Sequence, residues 1–342
     1  MYSLGLRFDT VATRLVFFIF LLVPLLFVGS ILLTRTGTIG STLYKEIQIL
    51  SGIGFYVFLG AAVLALCLLC TSITHTVLPT GVAWFILVLS LAAATAGFIQ
   101  SHYIKIVKYD VTLPNAPIAW EGKTAVLVSD THFGLVNYKN FSDKVVRAIT
   151  ALQPDFVLHA GDFYDGPAIN TTPLTDGWKK LTDTTPVFFA PGNHEEYGNY
   201  AGLLDSLRKA NVEVLDNKKV VYDGVQIAGI TYHEGKDSTA AKASIDALDL
   251  NTTQPTILIN HPPTSLAAAH ARGVDLQVSG HTHNGQFWPM TYLIRRIYGI
   301  YYHGQQPYES MSVITSSGIG TFGPPFRLFN TQELVVITFK TK

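Results

Sequence analysis

The sequence predicts an α/β domain preceded by an all-α, membrane-crossing region. Three observations predict it. Charge is unevenly divided along the chain, three early apolar runs are long enough to cross a bilayer, and five later β-branched runs each end in polar, metal-ligating side chains.

Of the 342 residues, those from 1 to 110 carry six Lys/Arg and three Asp/Glu. The remainder carries eighteen and twenty-one, an ordinary globular content with a slight acidic excess. No basic face is implied, so the electrostatic footprint of a nucleic-acid binder is missing. The two cysteines, Cys67 and Cys70, lie inside an apolar run and read as helix packing. With no cysteine beyond residue 70, the polar part uses neither disulfides nor thiolate ligands.

Crossing a bilayer as a helix takes roughly 20 apolar residues. Residues 14–33, 52–70 and 82–100 meet that requirement and predict three helices. The first run is longer than the core of a cleaved signal peptide, and two further spans follow it. Gly and Ala in "LGAAV" and "LAAATAG" suit close helix approach in lipid. The expected location is therefore a cell membrane, with a multi-pass chain. Arg7 and Arg14 oppose Arg35, Lys45, Lys105 and Lys108 across the spans, a margin of two charges that leaves the side of the later domain open. The transmembrane region is expected over 1–104 and the α/β domain over 105–342. "YIKIVKYDV" alternates like a strand at that boundary.

From residue 123 a short apolar run followed by ligand-type side chains occurs five times. "TAVLVSDTH" leads into Asp130 and His132, "DFVLHAGDFYD" into Asp162 and Asp165, and "PVFFAPGNHEE" into Asn193 and His194. "TILINHPP" supplies His261, and "LQVSGHTH" supplies His281 and His283. Helix-like stretches such as "YKNFSDKVVRAITAL" and "GNYAGLLDSLRKA" lie between them. Strand, turn, helix and strand in alternation build a largely parallel sheet, whose ligands bind beyond the carboxyl ends of the strands. Gly161, Gly192 and Gly280 each precede a ligand candidate, where the chain must turn sharply.

Asp, His and Asn without Cys make an oxygen and nitrogen donor set, suited to Mn, Fe or Zn. The donors are too many for one ion. Asp130, His132, Asp162 and His283 would satisfy one centre, and Asp162, Asn193, His261 and His281 a second, with Asp162 bridging. Two ions about 3.5–4 Å apart clamp the attacking and leaving oxygens of an in-line displacement. With two carboxylates and a bridging hydroxide, the pair keeps net positive charge toward the cleft. A phosphoryl group is its natural occupant, and the hydroxide its attacker. His194 is not needed as a ligand and reads as the catalytic donor to the developing charge or leaving oxygen, with Glu195 orienting it.

Taken together, "DTH", "GDFYD", "GNHE", "NHPP" and "GHTH" resemble the ordered motifs of the calcineurin-like metallophosphoesterases, over about residues 105–340. "GHTHNGQFWP" and "SSGIGTFGPPFRL" are most similar to the membrane-linked YkuE/YaeI-like branch of that family. The resemblance implies a four-layer αββα sandwich, the two-metal assignment above and phosphoester hydrolysis. Two positions depart from the pattern. Asn284 stands where the branch usually has glycine, and Gly166 where the family often places an arginine.

A metal-dependent phosphoesterase acting on a lipid or envelope precursor is the expected function, since membrane helices confine the domain. A nucleotide or UDP-sugar-lipid pyrophosphohydrolase is the alternative within enzymology. A non-catalytic membrane sensor or scaffold is the alternative outside it. Expected partners are the phosphorylated substrate, lipid-linked in the favoured reading, and membrane lipids. No nucleic acid is expected, and the sequence indicates no protein partner. Residues 287–308 crowd aromatics around Arg295 and Arg296, and read either as a packed flap with one solvated basic turn or as an apolar mouth near the bilayer, with the arginines meeting headgroup phosphates.

Overall fold

The computed structural model describes residues 41–166 and 170–341, together with residues 5, 6, 14, 18, 22, 25, 28 and 29. The first expected span, 14–33, thus falls outside the described residues except at a few positions. Two compact units result: Met1–His102 with Gly323–Phe329, and Tyr103–Phe322 with Asn330–Lys342.

Helices α1 (Ser41–Ile73) and α2 (Thr80–Gln100) form the first unit. Both are long and apolar enough to cross a membrane. Where they meet, small residues are needed: a β-carbon on Gly60 would fall on the Ser90 hydroxyl. The Ser90 and Thr95 hydroxyls bond back to the carbonyls of Ile86 and Leu91, so neither polar group needs water. Trp84, Phe85, Val88 and Leu89 each stay more than half exposed. Apolar surface of that extent marks a face suited to lipid or to another protein. Gly323–Phe329 joins this unit through Phe326, whose ring lies 5.5 Å from that of Phe98. Ser101 Oγ also donates to the Pro325 carbonyl at 2.7 Å.

Two six-stranded mixed sheets make up the second unit. The first holds β1 (Ile104–Leu113), β2 (Thr124–Val128), β3 (Phe156–Ala160), β4 (Val187–Ala190), β5 (Glu213–Val214) and β12 (Gln332–Thr341), in the order β1-β12-β2-β3-β4-β5. The second holds β6 (Lys218–Tyr222), β7 (Val225–Ile230), β8 (Thr256–Asn260), β9 (Leu276–Ser279), β10 (Gly304–Tyr308) and β11 (Met311–Thr315), in the order β10-β11-β9-β8-β7-β6. Strands β2 to β5 run parallel to one another, as do β7, β8, β9 and β11. Chain order alone does not show that the last strand inserts between β1 and β2, parallel to one and antiparallel to the other.

Period-two alternation assigns the faces. Ala125, Leu127, Leu158 and Ala190 of the first sheet meet Ile227, Ile257, Ile259 and Val278 of the second in a central core. The opposite faces point outward. Val126, Val128, Val157 and Phe189 are covered by α3 (Lys139–Ala151), α4 (Thr172–Thr182) and α6 (Tyr200–Lys209). On the other side, after the short α7 (Tyr232–Gly235), α8 (Ser238–Ala247) and α9 (Leu266–Ala271) cover Ala228, Ile230, Leu258 and Val313. Helix, sheet, sheet, helix is the four-layer sandwich that the resemblance implies.

Trp178 of α4 is fully buried, and its indole N–H donates to Ser142 Oγ of α3 at 3.2 Å. Trp178→Ala is expected to cost about 3–5 kcal/mol through the cavity it leaves. Chemical denaturation of the full chain in detergent measures this, and a midpoint equal to wild type would contradict the packing described.

Candidate metal centre

Each motif residue lies just past a strand's carboxyl end. Asp130 and His132 follow β2, Asp162 follows β3, and Asn193 opens the short helix α5 (Asn193–Glu196) after β4. From the facing sheet, His261 follows β8, and His281 and His283 follow β9. Because the two sheets pack face to face, five strand ends converge at one edge of the sandwich.

All seven candidates meet there. Ligand atoms of Asp130, His132 and His283 lie within 4.8 Å of one another, as do those of Asp162, His261 and His281. Asp162 Oδ2 stands between the groups, 3.2 Å from His261 Nε2 and 3.7 Å from His132 Nε2. His283 Nε2 is 3.3 Å from Asp130 Oδ1 and 3.0 Å from His132 Nε2. Asn193 turns its Oδ1 to within 3.2 Å of His261 Nε2, while its amide nitrogen donates to the Tyr197 hydroxyl. Asp165 joins as well: with His132 and His194 it forms a third group of close donor atoms.

Backbone strain is concentrated in this cluster. Asp130, His132, Asp162, His281 and His283 all have positive φ, between 44° and 69°. Non-glycine residues adopt that region uncommonly, and such strain persists only where the surroundings dictate it. Asn284, at φ 48°, is left-handed too. Asparagine tolerates this conformation, so it can hold the backbone that glycine would adopt there. Gly161 has φ 81°, as a sharp turn requires, but Gly192 and Gly280 are needed for space. A β-carbon on Gly192 would strike the Asp162 carboxylate, and one on Gly280 that of Asp130.

Hydrogen bonds brace the loops. Glu195, fully buried, accepts backbone N–H bonds from Asp162 (3.0 Å), Tyr164 (3.0 Å) and Gly192 (2.8 Å). It therefore fastens two motif loops together instead of orienting His194 as expected. His194 takes its orientation from Asp165, donating from Nδ1 to that residue's carbonyl at 3.1 Å, and its own backbone N–H donates to Asp162 Oδ1 at 2.8 Å. His261 Nδ1 donates to the Ala160 carbonyl at 2.6 Å, which leaves Nε2 facing the cluster. Gln286 clamps the last motif. Its amide donates to the Phe322 carbonyl and accepts from the Phe322 N–H. Nothing in motif spacing reveals the role of Glu195, since "GNHEE" offers two adjacent glutamates.

The electrostatics suit cations. Burial pushes the Asp130 carboxyl up, partly offset by His261. Burial also opposes ionisation of Asp162, yet His261 and His194 hold it well below the usual carboxylate range. Burial drives His281 down to about 3, leaving a neutral imidazole. It would lower His261 too, but Asp162 outweighs it and lifts that ring to about 9. Buried carboxylates need compensating positive charge. Protonated histidine supplies it here, and a divalent ion can replace that proton. The donor set and its spacing therefore fit two such ions.

The cluster opens into a cavity of about 320 Å³. Asp162, Asn193, His194, His281 and His283 form its floor. Phe287, Met290, Leu293 and Ile294 line one wall, with Phe322 beside them.

Residues 123–285 match the family described as calcineurin-like phosphoesterase. An Aquifex aeolicus protein named as a metallophosphoesterase is 30% identical over 71% of this chain and 95% of its own length. One from Campylobacter jejuni is 32% identical over 68% of this chain, which spans 62% of that relative. A zebrafish protein named as a transmembrane protein with a metallophosphoesterase domain is 26% identical over 69% of this chain and 57% of its own. Motif order, fold and these relatives agree: the chain belongs to the calcineurin-like metallophosphoesterase family.

Proposed function

We propose that this chain is a membrane-associated, two-metal phosphoesterase acting on an amphiphilic phosphate ester or anhydride, a lipid or envelope precursor. One observation carries the reading: Asp162 Oδ2 lies between two groups of histidine and aspartate donors drawn from both sheets. Asp130, His132 and His283 would hold one ion with Asp162, and Asn193, His261 and His281 the other, with Asp162 shared. When bound, the two ions supply Lewis acidity to phosphoryl oxygens and acidify the attacking water. Asp130 and His281 are fixed relative to each other because the His281 N–H donates to both Asp130 oxygens at 3.1 Å. His194, held through Nδ1, presents Nε2 toward the cavity as the donor to the leaving oxygen.

The substrate class rests on the apolar helices α1 and α2, which would tether the domain where amphiphiles are abundant, and with the expected first span make the chain multi-pass. Retention of all seven candidate ligands speaks against a non-catalytic scaffold. The full chain in detergent with Mn²⁺ should hydrolyse phospholipid or polyprenyl phosphates in preference to nucleotides, and lose activity to a chelator. Hydrolysis of UDP-linked or free nucleotides alone would move the reading to a pyrophosphohydrolase.

Cation binding should also stabilise the fold. At a free Mn²⁺ concentration 100 times its Kd, each site adds about 2.7 kcal/mol. The unfolding midpoint should then rise by roughly 5–11 °C per site in a domain of this size. A midpoint indifferent to Mn²⁺ and to chelator would refute the two-metal assignment.

A further inference from the structure

Helix α10 (Met290–Tyr298) departs from the usual pattern of a surface helix. Met290, Leu293, Ile294 and Ile297 recur at the spacing of a single helical face, yet no residue of the helix is buried. An amphipathic helix in a folded domain normally buries its apolar stripe. Here Leu293 is 53% exposed and Ile297 60%. The same face lines the cavity over the metal cluster, through Met290, Leu293 and Ile294. Whatever covers it shares that cavity with the phosphoryl position.

We propose that Met290, Leu293 and Ile294, with Phe287 and Phe322, form a wall that binds one hydrocarbon chain of the substrate, making α10 the element that selects amphiphilic esters. This inference rests on the phosphoesterase reading above and adds which residues set specificity. Three observations favour a hydrocarbon chain. The wall carries no charged side chain, and the carboxylate of Asp162 lines the floor. No lysine or arginine lines the cavity among the described residues, so recognition of several phosphates, as in a nucleotide, finds no partner there. The volume of about 320 Å³ is at the small end of ligand pockets, roughly 300–1,000 Å³, and suits one chain beside a phosphate group. Arg295 and Arg296 are exposed and do not line the cavity.

Hydrolysis of p-nitrophenyl methyl phosphate and p-nitrophenyl hexyl phosphate by the full chain in nanodiscs with Mn²⁺ tests this. In both, water attacks phosphorus and nitrophenolate leaves, so only the retained alkyl group differs. Burying about two of the five added methylenes predicts a hexyl-to-methyl ratio of kcat/KM near 10. Leu293→Asp and Ile294→Asp should each bring that ratio close to 1. The ratio is read within each protein, so loss of active material divides out. A second readout, independent of turnover, is the affinity of the Mn²⁺-loaded chain for hexylphosphonate relative to methylphosphonate, by titration calorimetry. Its ratio should change in parallel. Equal ratios in wild type and variants, by either readout, overturn the wall. That result would hold if Leu293→Asp weakened only vesicle binding, which would make α10 a membrane-surface element instead. Failure of both esters, of p-nitrophenyl phosphate and of a pyrophosphate diester to turn over, with the phosphonate ratio still near 10 and sensitive to the variants, would overturn the phosphoesterase reading while supporting the wall.

Discussion

Asp162→Asn should reduce Mn²⁺-dependent phosphoester hydrolysis by more than the roughly 10–100-fold typical of losing a group that only orients a metal ligand. The substitution is close to surgical. Asparagine tolerates the left-handed backbone that Asp162 adopts at φ 53°. Its side-chain oxygen can still accept the His194 N–H now bound to Oδ1 at 2.8 Å. What disappears is the negative charge and the second oxygen, Oδ2, which lies between His261 and His132. As the proposed shared ligand, Asp162 would serve both ions, so metal content should fall from two per chain to one or fewer. Circular dichroism should remain that of the wild type. Metal analysis beside the rate measurement makes the outcome decisive: a variant that keeps two ions and most of its activity would remove Asp162 from the bridging position.

Much of the site is legible in the sequence because each ligand is encoded locally. A β-branched run predicts a strand, and the polar residue just beyond marks its carboxyl end. Parallel pairing of β2 with β3 and of β8 with β9 then brings those ends side by side. What depends on distant partners is not legible. Glu195 and Glu196 are neighbours in sequence with no difference in type, yet one is buried against three backbone donors while the other accepts from His233 at the surface. The left-handed conformations of Asp130 and His132 follow from loop closure, which residue type alone does not specify. Among the described residues helix α1 reaches back to Ser41, although its strongly apolar run begins at Gly52, because "STLYKEIQILS" is helical without being uniformly apolar. Within residues 287–308, read as a flap or an apolar mouth near the bilayer, residues 290–298 form a helix whose apolar face lines the cavity. The wall and the metal donors therefore belong to one site, although only the donors carry a recognisable motif.

Glu195→Gln should impair both stability and catalysis, for a reason that lies in hydrogen-bond direction. The carboxylate can only accept, and it meets three donors: Oε2 takes the N–H groups of Asp162 and Gly192, and Oε1 that of Tyr164. A glutamine of the same shape offers one accepting oxygen and an NH₂ group that must face at least one of those donors. Each buried donor left unsatisfied costs about 1–3 kcal/mol. In a domain of this size that corresponds to roughly 2–4 °C of unfolding midpoint per kcal/mol. The same bonds hold the Asp162 loop and the Gly192–Asn193 turn in register, so Mn²⁺ affinity should weaken roughly 10–100-fold, as for other groups that position metal ligands. Glu196→Gln is the matched control. Its carboxylate accepts the His233 N–H at a solvent-exposed position, and the change should stay within about 0.5 kcal/mol. If the two variants show the same midpoint and the same Mn²⁺ affinity, the buried carboxylate is not what holds the cluster together, and the strained loops must be held by the packing of the sheets beneath them.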